Sequence, residues 1–522
     1  MFEFGECPRV RSLSTERTSE LRPAEPSHEA GLRIGTDEWV AQAEARRRRR
    51  SGALGKLADR WAALPPIARI GLFALLLLAA PVVTAARPVL DLLGISNNGF
   101  IVRIGATFLA SSILAVGLNV VVGYAGLLDL GYVAFYGLAG YAYAYLSSDF
   151  INGGVHLPSI LSVPLIIAFT ALMGWFLGSL SIRLYGDYLA IVTLGFGQLF
   201  VQLASTLTRV KVFWLDKTVD LTRGPNGINN LDNVVLFGYS FRSTLQYYYL
   251  FFVMLAVVLV VVHHMNQSRI GRAWRAMRED DLAADVMGMP TRRLKLIAFA
   301  IGAAIAALAG TVLAAWQGSV TPGRYDLLAL IDLYAMVVLG GIGSLAGVVL
   351  GAFVFTILPE LLRSVELASY LFYLGGLLGL IWWLKPSRRL VVLLAGAFAG
   401  GLVFKLLIHW FLPGLDSGAV PSGGSFLNQA VQSWLVIPEK FKAVGNVAIG
   451  AAVLMLLVTI LLKPPLRWLT LGLTLYLFAF AWETRLATEP SVTRVLITGV
   501  TLIVLMIFRP EGLLGEPRVS VG

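Results

Sequence analysis

Three carboxylates lie within or beside long apolar stretches: Asp129, Asp187 and Asp332. A carboxylate in hydrocarbon costs roughly 3 kcal/mol on insertion scales, so it faces a bundle interior, a water-filled path or the membrane edge. Two kinds of work fit such residues: lining a solute pathway, or capping and pairing within the fold. Asp187 follows Gly186 and is placed to cap a helix beginning at Tyr188. Proton- or sodium-coupled carriers also use such carboxylates, so a stand-alone secondary carrier stays open. Bond chemistry finds no constellation. The chain has no G-x-x-x-x-G-K-S/T, H-E-x-x-H, C-x-x-C or G-x-S-x-G string, and its one cysteine, Cys7, rules out an intramolecular disulfide. His263 and His264 are adjacent, and neighbours on a helix point about 100° apart, which does not suit a metal site.

The stretch Ser268–Lys295 is the other dense patch of chemistry, with Arg269, Arg272, Arg275, Arg278, Arg292, Arg293 and Lys295 between two apolar segments. Positive charge in short loops marks the cytoplasmic side of a membrane protein. Ile270, Trp274, Met277, Ala284 and Met287 recur at roughly helical spacing among those charges, and Gly288, Met289 and Pro290 end the run. This predicts a short amphipathic helix that offers a partner a docking surface.

The elements that position these residues are membrane spans. The chain of 522 residues is 57% hydrophobic and 14% charged, against about 25% charged for a soluble domain. Apolar runs long enough to cross a bilayer recur from Ile67 onward. Spans are expected near 65–84, 100–121, 131–148, 158–181, 187–205, 246–265, 295–316, 328–345, 346–363, 368–384, 390–411, 446–463, 468–483 and 492–508. The glycine-rich pieces 131–148 and 328–363 read as half-helices or re-entrant segments. The fold class is therefore all-α: a polytopic transmembrane helical bundle with broken or re-entrant Gly-rich helices. The repeated motifs Gly123–Gly140 and Gly340–Gly351 fit either a transport site built from broken helices or close packing through small residues.

An even number of crossings puts both termini in the cytoplasm, together with Arg183, Lys385–Arg389 and Lys463–Arg467. The loops Ser205–Gln246 and Leu412–Gly445 then lie outside. Residues 1–62 form a basic tail without a secretory pattern, disordered over 1–40, whose Arg46–Arg50 run faces lipid. The net charge of +11 fits loops facing anionic membrane lipid and calls for no nucleic acid.

Four ordered segments carry a resemblance: Gly117–Tyr143; Gly186–Gly197 with Gly224–Ile228; the charged loop followed by Leu296–Gly310 and Met336–Gly351; and Met506–Gly515. They resemble the permease subunits of bacterial branched-chain amino-acid ABC importers, of the LivM type. The resemblance implies a non-enzymatic inner-membrane permease with no cofactor of its own. Its implied partners are two ABC ATPase subunits that bind ATP and Mg, a second, LivH-like permease subunit and a periplasmic solute-binding protein. It also implies an ATPase-coupling helix with an A-A-x-x-x-G core, here Ala283, Ala284 and Gly288, flanked by Arg272, Arg278, Glu279 and Asp281. Leu282 stands where many relatives have glutamate just before the two alanines.

The implied substrate pathway takes in Gly123, Gly126, Asp129, Tyr132, Asp187, Thr193, Gln198 and Asp332. Asp129 and Tyr132 replace a frequent serine and histidine of the family, and Gln198 a frequent glutamate. Leucine, isoleucine and valine are the expected solutes, with urea or short amides as the alternative. The permease core is expected over 63–384. Residues 385–490 read as an insertion with additional spans, before a terminal span and tail at 491–522.

Overall fold

The computed structural model describes Pro81 and the chain from Asn98 to Leu486, apart from residues 151–155, 182–186, 209, 212–217, 362–364, 385–387, 412–417, 419–425 and 464–465. Beyond that it describes 496, 499, 500, 503 and 512–514. The basic tail, nearly all of the expected span 65–84 and most of the span 492–508 lie outside the described residues.

The architecture is all-α. Helix α1 (Asn98–Asn119) runs on into a π-helical turn, Val120–Tyr124. It is followed by α2 (Tyr132–Leu146), α3 (Ser159–Ser181) and α4 (Asp187–Thr206). Then come α5 (Thr244–Gln267), α6 (Arg269–Glu279), α7 (Asp281–Val286) and α8 (Thr291–Gln317). Helices α9 (Leu327–Gly340), α10 (Leu345–Leu361) and α11 (Val365–Leu384) complete the first bundle. The remainder holds α12 (Arg388–Phe411), α13 (Phe426–Trp434), α14 (Phe441–Leu461) and α15 (Leu466–Ala481), which ends in a second π-helical turn, Trp482–Leu486.

Among the described residues, seven helices are long and apolar enough to cross a membrane. Helices α2, α9 and α10, of 15, 14 and 17 residues, each rise about 26 Å or less, short of a ~30 Å hydrocarbon core. These are the glycine-rich pieces. Glycine bounds two of them on one side: Gly131 precedes α2, and Gly341 (φ +112°) ends α9.

Helix α8 is the axis of the core. It packs along α2 and α3, while α1 packs against α5 and α10. Its stripe of Ala298, Gly302, Ala303, Ala306, Ala307, Ala309 and Gly310 is buried, and small side chains let neighbouring backbones approach closely. At Gly302 an added Cβ would stand 2.4 Å from a Val121 methyl, and at Gly310 it would stand 2.6 Å from the Tyr136 carbonyl oxygen.

The expected outer loop Ser205–Gln246 is not plain chain. Val210–Lys211 pairs with Thr218–Val219, Val235–Leu236 with Tyr239–Ser240, and Ile228–Asn229 with Ser319–Val320 beyond α8. The second loop, Leu412–Gly445, also differs from expectation. It contains α13 and the start of α14, whose Lys405-bound carbonyls at Gln432 and Leu435 fold it onto α12.

Candidate functional site

The charged loop folds as two helices rather than the single one expected. The break is at Asp280, whose backbone is extended (φ −155°, ψ 109°) and whose carboxylate accepts the Ala283 N–H at 2.9 Å. Aspartate competes for local backbone donors, so it ends one helix and caps the next. In α6 the buried face is Gly271, Trp274 and Met277, and the Trp274 indole donates to the Leu294 carbonyl at 2.9 Å, fastening α6 to α8. The expected apolar stripe ends there. Met287 is 79% exposed and Ile270 lies at the surface, while Ala284 is buried.

Helix α7 is held on one side and open on the other. The Lys295 ammonium pairs with Asp281, and the Thr291 hydroxyl donates to Asp285 at 3.1 Å, so both bonds tie α7 to the start of α8. Its end is a Schellman turn: Gly288 (φ +82°) donates to the Asp285 carbonyl and Met289 to that of Ala284. The outer side presents Ala283, Gly288 and the large apolar side chains Leu282, Val286 and Met287, all exposed. An added Cβ at Gly288 would meet nothing within 4 Å. Arg272 donates to the Gln267 carbonyl at 2.9 Å at the end of α5, and Glu279 is exposed.

Arg278 points the other way, into the bundle. Its guanidinium donates to the Gly123 carbonyl at 2.6 Å, in the π-helical turn that ends α1. A Cβ at Gly126 (φ +71°) would stand 2.9 Å from Arg278 Cγ, and one at Gly343 (φ +91°) 2.7 Å from its Nη1. The two glycine motifs also touch each other, because the Gly343 N–H donates to Asn119 Oδ1 at 2.8 Å. The far C-terminal segment closes this knot: Leu513 and Leu514 donate to the carbonyls of Leu339 and Gly340 at 2.8 and 3.0 Å. One arginine of the partner-facing loop thus threads between both motifs.

A second cluster sits where α1 breaks and α2 begins. Asp129 is buried inside the protein. Its Oδ1 accepts the Gly131 N–H at 2.9 Å, and its own carbonyl accepts the Tyr334 hydroxyl at 2.6 Å. Among the described residues its Oδ2 has no hydrogen-bond partner, nor has the buried Tyr132 hydroxyl, which lies against Gly117. Thr193 accepts the Leu130 N–H at 3.0 Å, joining α4 to the same break.

Asp129, Tyr132 and Thr193 are therefore gathered, as are Gly123, Gly126 and Arg278. Gln198 on α4 and Asp332 on α9 are exposed on this chain. Helix α4 starts at Asp187 itself rather than at Tyr188, and the Asp187 side chain lies outside the described residues. Sequence reasoning missed Asn119, Tyr334 and the junction role of Gly343. An asparagine inside an apolar span was the one available signal, for Asn119.

A multi-pass helical bundle with broken glycine-rich helices and an exposed amphipathic loop defines a membrane permease. The family model described as "Branched-chain amino acid transport system / permease component" matches residues 100–382. The chain belongs to that family. It is 36% identical over 301 residues to the high-affinity branched-chain amino acid transport system permease protein LivM of Escherichia coli, covering 53% of this chain and 67% of that one. The Salmonella typhimurium LivM is 37% identical over the same shares. A shorter match, 39% over 102 residues, joins it to the permease protein LivH of Escherichia coli, spanning 20% of this chain and 32% of that relative. No solved structure matches.

Proposed function

We propose that this chain is a permease subunit of a binding-protein-dependent ABC importer that carries leucine, isoleucine and valine across a bacterial inner membrane. The observation that carries the mechanism is the double allegiance of the charged loop. Helix α7 offers exposed Leu282, Val286 and Met287 to a partner groove. One turn away, Arg278 is bonded to the breakpoint of α1. A partner that displaces α7 therefore displaces the point where the glycine motifs cross. Two ATPase subunits with bound ATP and Mg supply that displacement, one on this loop and one on the matching loop of a LivH-like second permease. A periplasmic binding protein delivers solute to the outer loops, and both termini face the cytoplasm.

The chain's own work is alternating access. The breaks after α1 and between α9 and α10 are where backbone conformation changes at least cost, because Gly126, Gly341 and Gly343 already occupy positive φ. Asp129, with one carboxylate oxygen unpaired, is the group at the break able to receive a solute's ammonium. The pull toward this reading is the family membership together with that geometry.

The experiment is labelled-leucine uptake at low concentration in the native host, with the gene deleted and then restored. Restoration by the intact chain but not by Gly288→Trp is the expected outcome, with the variant present in the membrane at normal level. Unchanged leucine uptake on deletion would overturn the substrate and turn attention to urea and short amides. Uptake that survives ATP depletion at constant membrane potential would overturn the importer mechanism in favour of a stand-alone carrier.

A further inference from the structure

The segment beyond α11 holds a feature that the permease reading does not use. Helices α12, α14 and α15 enclose a groove of about 1290 Å³ whose lining residues carry no charged side chain. Its walls include Gly396, Gly400, Phe404, Gly472, Tyr476 and Phe480. The groove exists because side chains are missing from its walls: an added Cβ at Gly396, Gly400 or Gly472 would meet nothing within 4 Å. Nearby polar groups are turned elsewhere. The Tyr476 hydroxyl accepts the Val436 N–H at 3.3 Å, the Trp434 indole donates to the Phe398 carbonyl at 2.8 Å, and Lys405 donates to the carbonyls of Gln432 and Leu435.

We propose that this groove is a binding site for an acyl chain of a membrane phospholipid, with the phosphate held near Lys440 and Lys442. Three observations choose that occupant. Helices α12 and α14 include segments of membrane-spanning length and hydropathy, Leu393–Phe411 and Phe441–Leu461, so the medium beside the groove is hydrocarbon. A groove open to hydrocarbon is filled by apolar chain in preference to water, and an unfilled one forfeits the dispersion contacts of its whole lining. The charge at one end is complementary to a phosphate: Pro438 and Val444 line the groove there, and exposed Lys440 and Lys442 lie between them, outnumbering Glu439. The walls carry no charged side chain to meet an amino acid's ammonium or carboxylate, so the site is distinct from any amino-acid pathway and stands whether or not the importer reading holds.

The test uses the full chain in vesicles of phosphatidylethanolamine and phosphatidylglycerol. Benzoylphenylalanine placed at Phe404 is expected to crosslink to phospholipid on irradiation. Complexes extracted in mild detergent are then assayed for retained phospholipid by mass spectrometry. The double substitution Gly400→Leu/Gly472→Leu, which fills the groove, is expected to lower retention about tenfold, equal to about 1.4 kcal/mol of binding. Gly375→Leu on α11, where an added Cβ also meets open space, is expected to leave retention unchanged. The substitution Lys440→Gln/Lys442→Gln is expected to reduce retention of phosphatidylglycerol. A protein adduct at Phe404 in place of a lipid adduct, or equal retention by the filled and unfilled grooves, would overturn the proposal.

Discussion

The same residue, glycine, does opposite things in the two parts of this bundle. In the core the motif glycines are places where nothing else fits. An added Cβ at Gly340 would stand 2.2 Å from the Gly347 carbonyl oxygen, at Gly351 2.1 Å from that of Met336, and at Gly131 2.4 Å from that of Thr193. Each obstacle is backbone, which cannot step aside. Beyond α11, Gly396, Gly400, Gly450 and Gly472 would meet nothing within 4 Å. The core's motif glycines bring two main chains together, and these four later glycines leave space on open helix faces, whereas Gly401 and Gly418 in the same later segment are closed by Trp434 and by the Pro438 backbone. A glycine-rich string in a membrane protein is therefore ambiguous until the facing surface is known.

The sharpest break of that comparison is a matched pair of substitutions. Gly351→Leu forces a side chain into the α9 backbone and is expected to cost about 3 kcal/mol or more, the upper end of overpacking penalties. It should appear as loss of folded protein from the membrane and a lowered Tm in detergent. Gly400→Ala, on an open helix face, is expected to be neutral or to stabilise by up to about 1 kcal/mol through helix propensity. A fall in Tm with Gly400→Ala would show that the open face is covered in the assembled protein.

Next in size is Arg278→Ala. Hydrogen bonds to charged groups contribute about 1.5–3 kcal/mol, and here the acceptor is the Gly123 carbonyl at the break of α1. Leucine uptake is expected to fall about tenfold while the chain remains folded, because Trp274 still pins α6 to α8. Arg278→Lys should rescue only in part, since a point ammonium lacks the planar fork that fits between Gly126 and Gly343. Uptake at the normal rate with Arg278→Ala would remove the link between loop and break.

The two regions also differ in how they are fastened. Close backbone contact seals the core, whereas side chains pin the later segment to α11. Buried Glu483 accepts from the Tyr373 hydroxyl at 2.8 Å and from Gln432 Nε2 at 3.0 Å. Trp482 donates to Ser369 at 3.1 Å and stacks on Phe372 with centroids 4.2 Å apart. A double-mutant cycle of Tyr373→Phe with Glu483→Gln is expected to give a coupling of about 1 kcal/mol, inside the usual range for bonded neighbours. Additive effects would mean that the Tyr373–Glu483 bond contributes nothing to holding the second π-helical turn.

Spans were the legible part of this fold, because hydrocarbon thickness fixes their length and composition. The expected spans 158–181 and 295–316 meet α3 (Ser159–Ser181) and α8 (Thr291–Gln317) within a few residues. The glycine pieces were legible as interruptions, but not as partners. Arg278 and Gly123 are 155 positions apart, and periodicity tells which face of a helix is apolar, not what lies opposite it. The helix break at Asp280 was hidden for a different reason: the heptad-like spacing of apolar residues ran straight through it, while the capping carboxylate acts on only one turn. Met287 lies on the expected apolar stripe but is 79% exposed, because periodicity does not tell an apolar face turned to the core from one turned to a partner.

The smallest expected effect lies in the loops flanking the helices, in a clamp that neither glycine arrangement touches. His156 Nδ1 stands 2.6 Å from Asp232 Oδ2 and its Nε2 2.8 Å from Asp149 Oδ1. Both acceptors are carboxylates, so both are satisfied at once only by the doubly protonated ring. The hydrogen bond to Asp232, and then that to Asp149, raise the His156 pKa above its ordinary value. A raised folded-state pKa places the stabilisation below the unfolded-state value, near 6.5, and removes it as pH climbs through the higher folded value. Protection against hydrogen exchange in the stretch around Ser147, which accepts the Asp232 N–H, is therefore expected to fall between mildly acidic and alkaline pH once the base-catalysed rise common to all amides is divided out. That loss of protection should vanish in His156→Gln, and the core helices should show none of it. Equal pH dependence in the variant would assign the titration to another group and leave the outer loop without a histidine clamp.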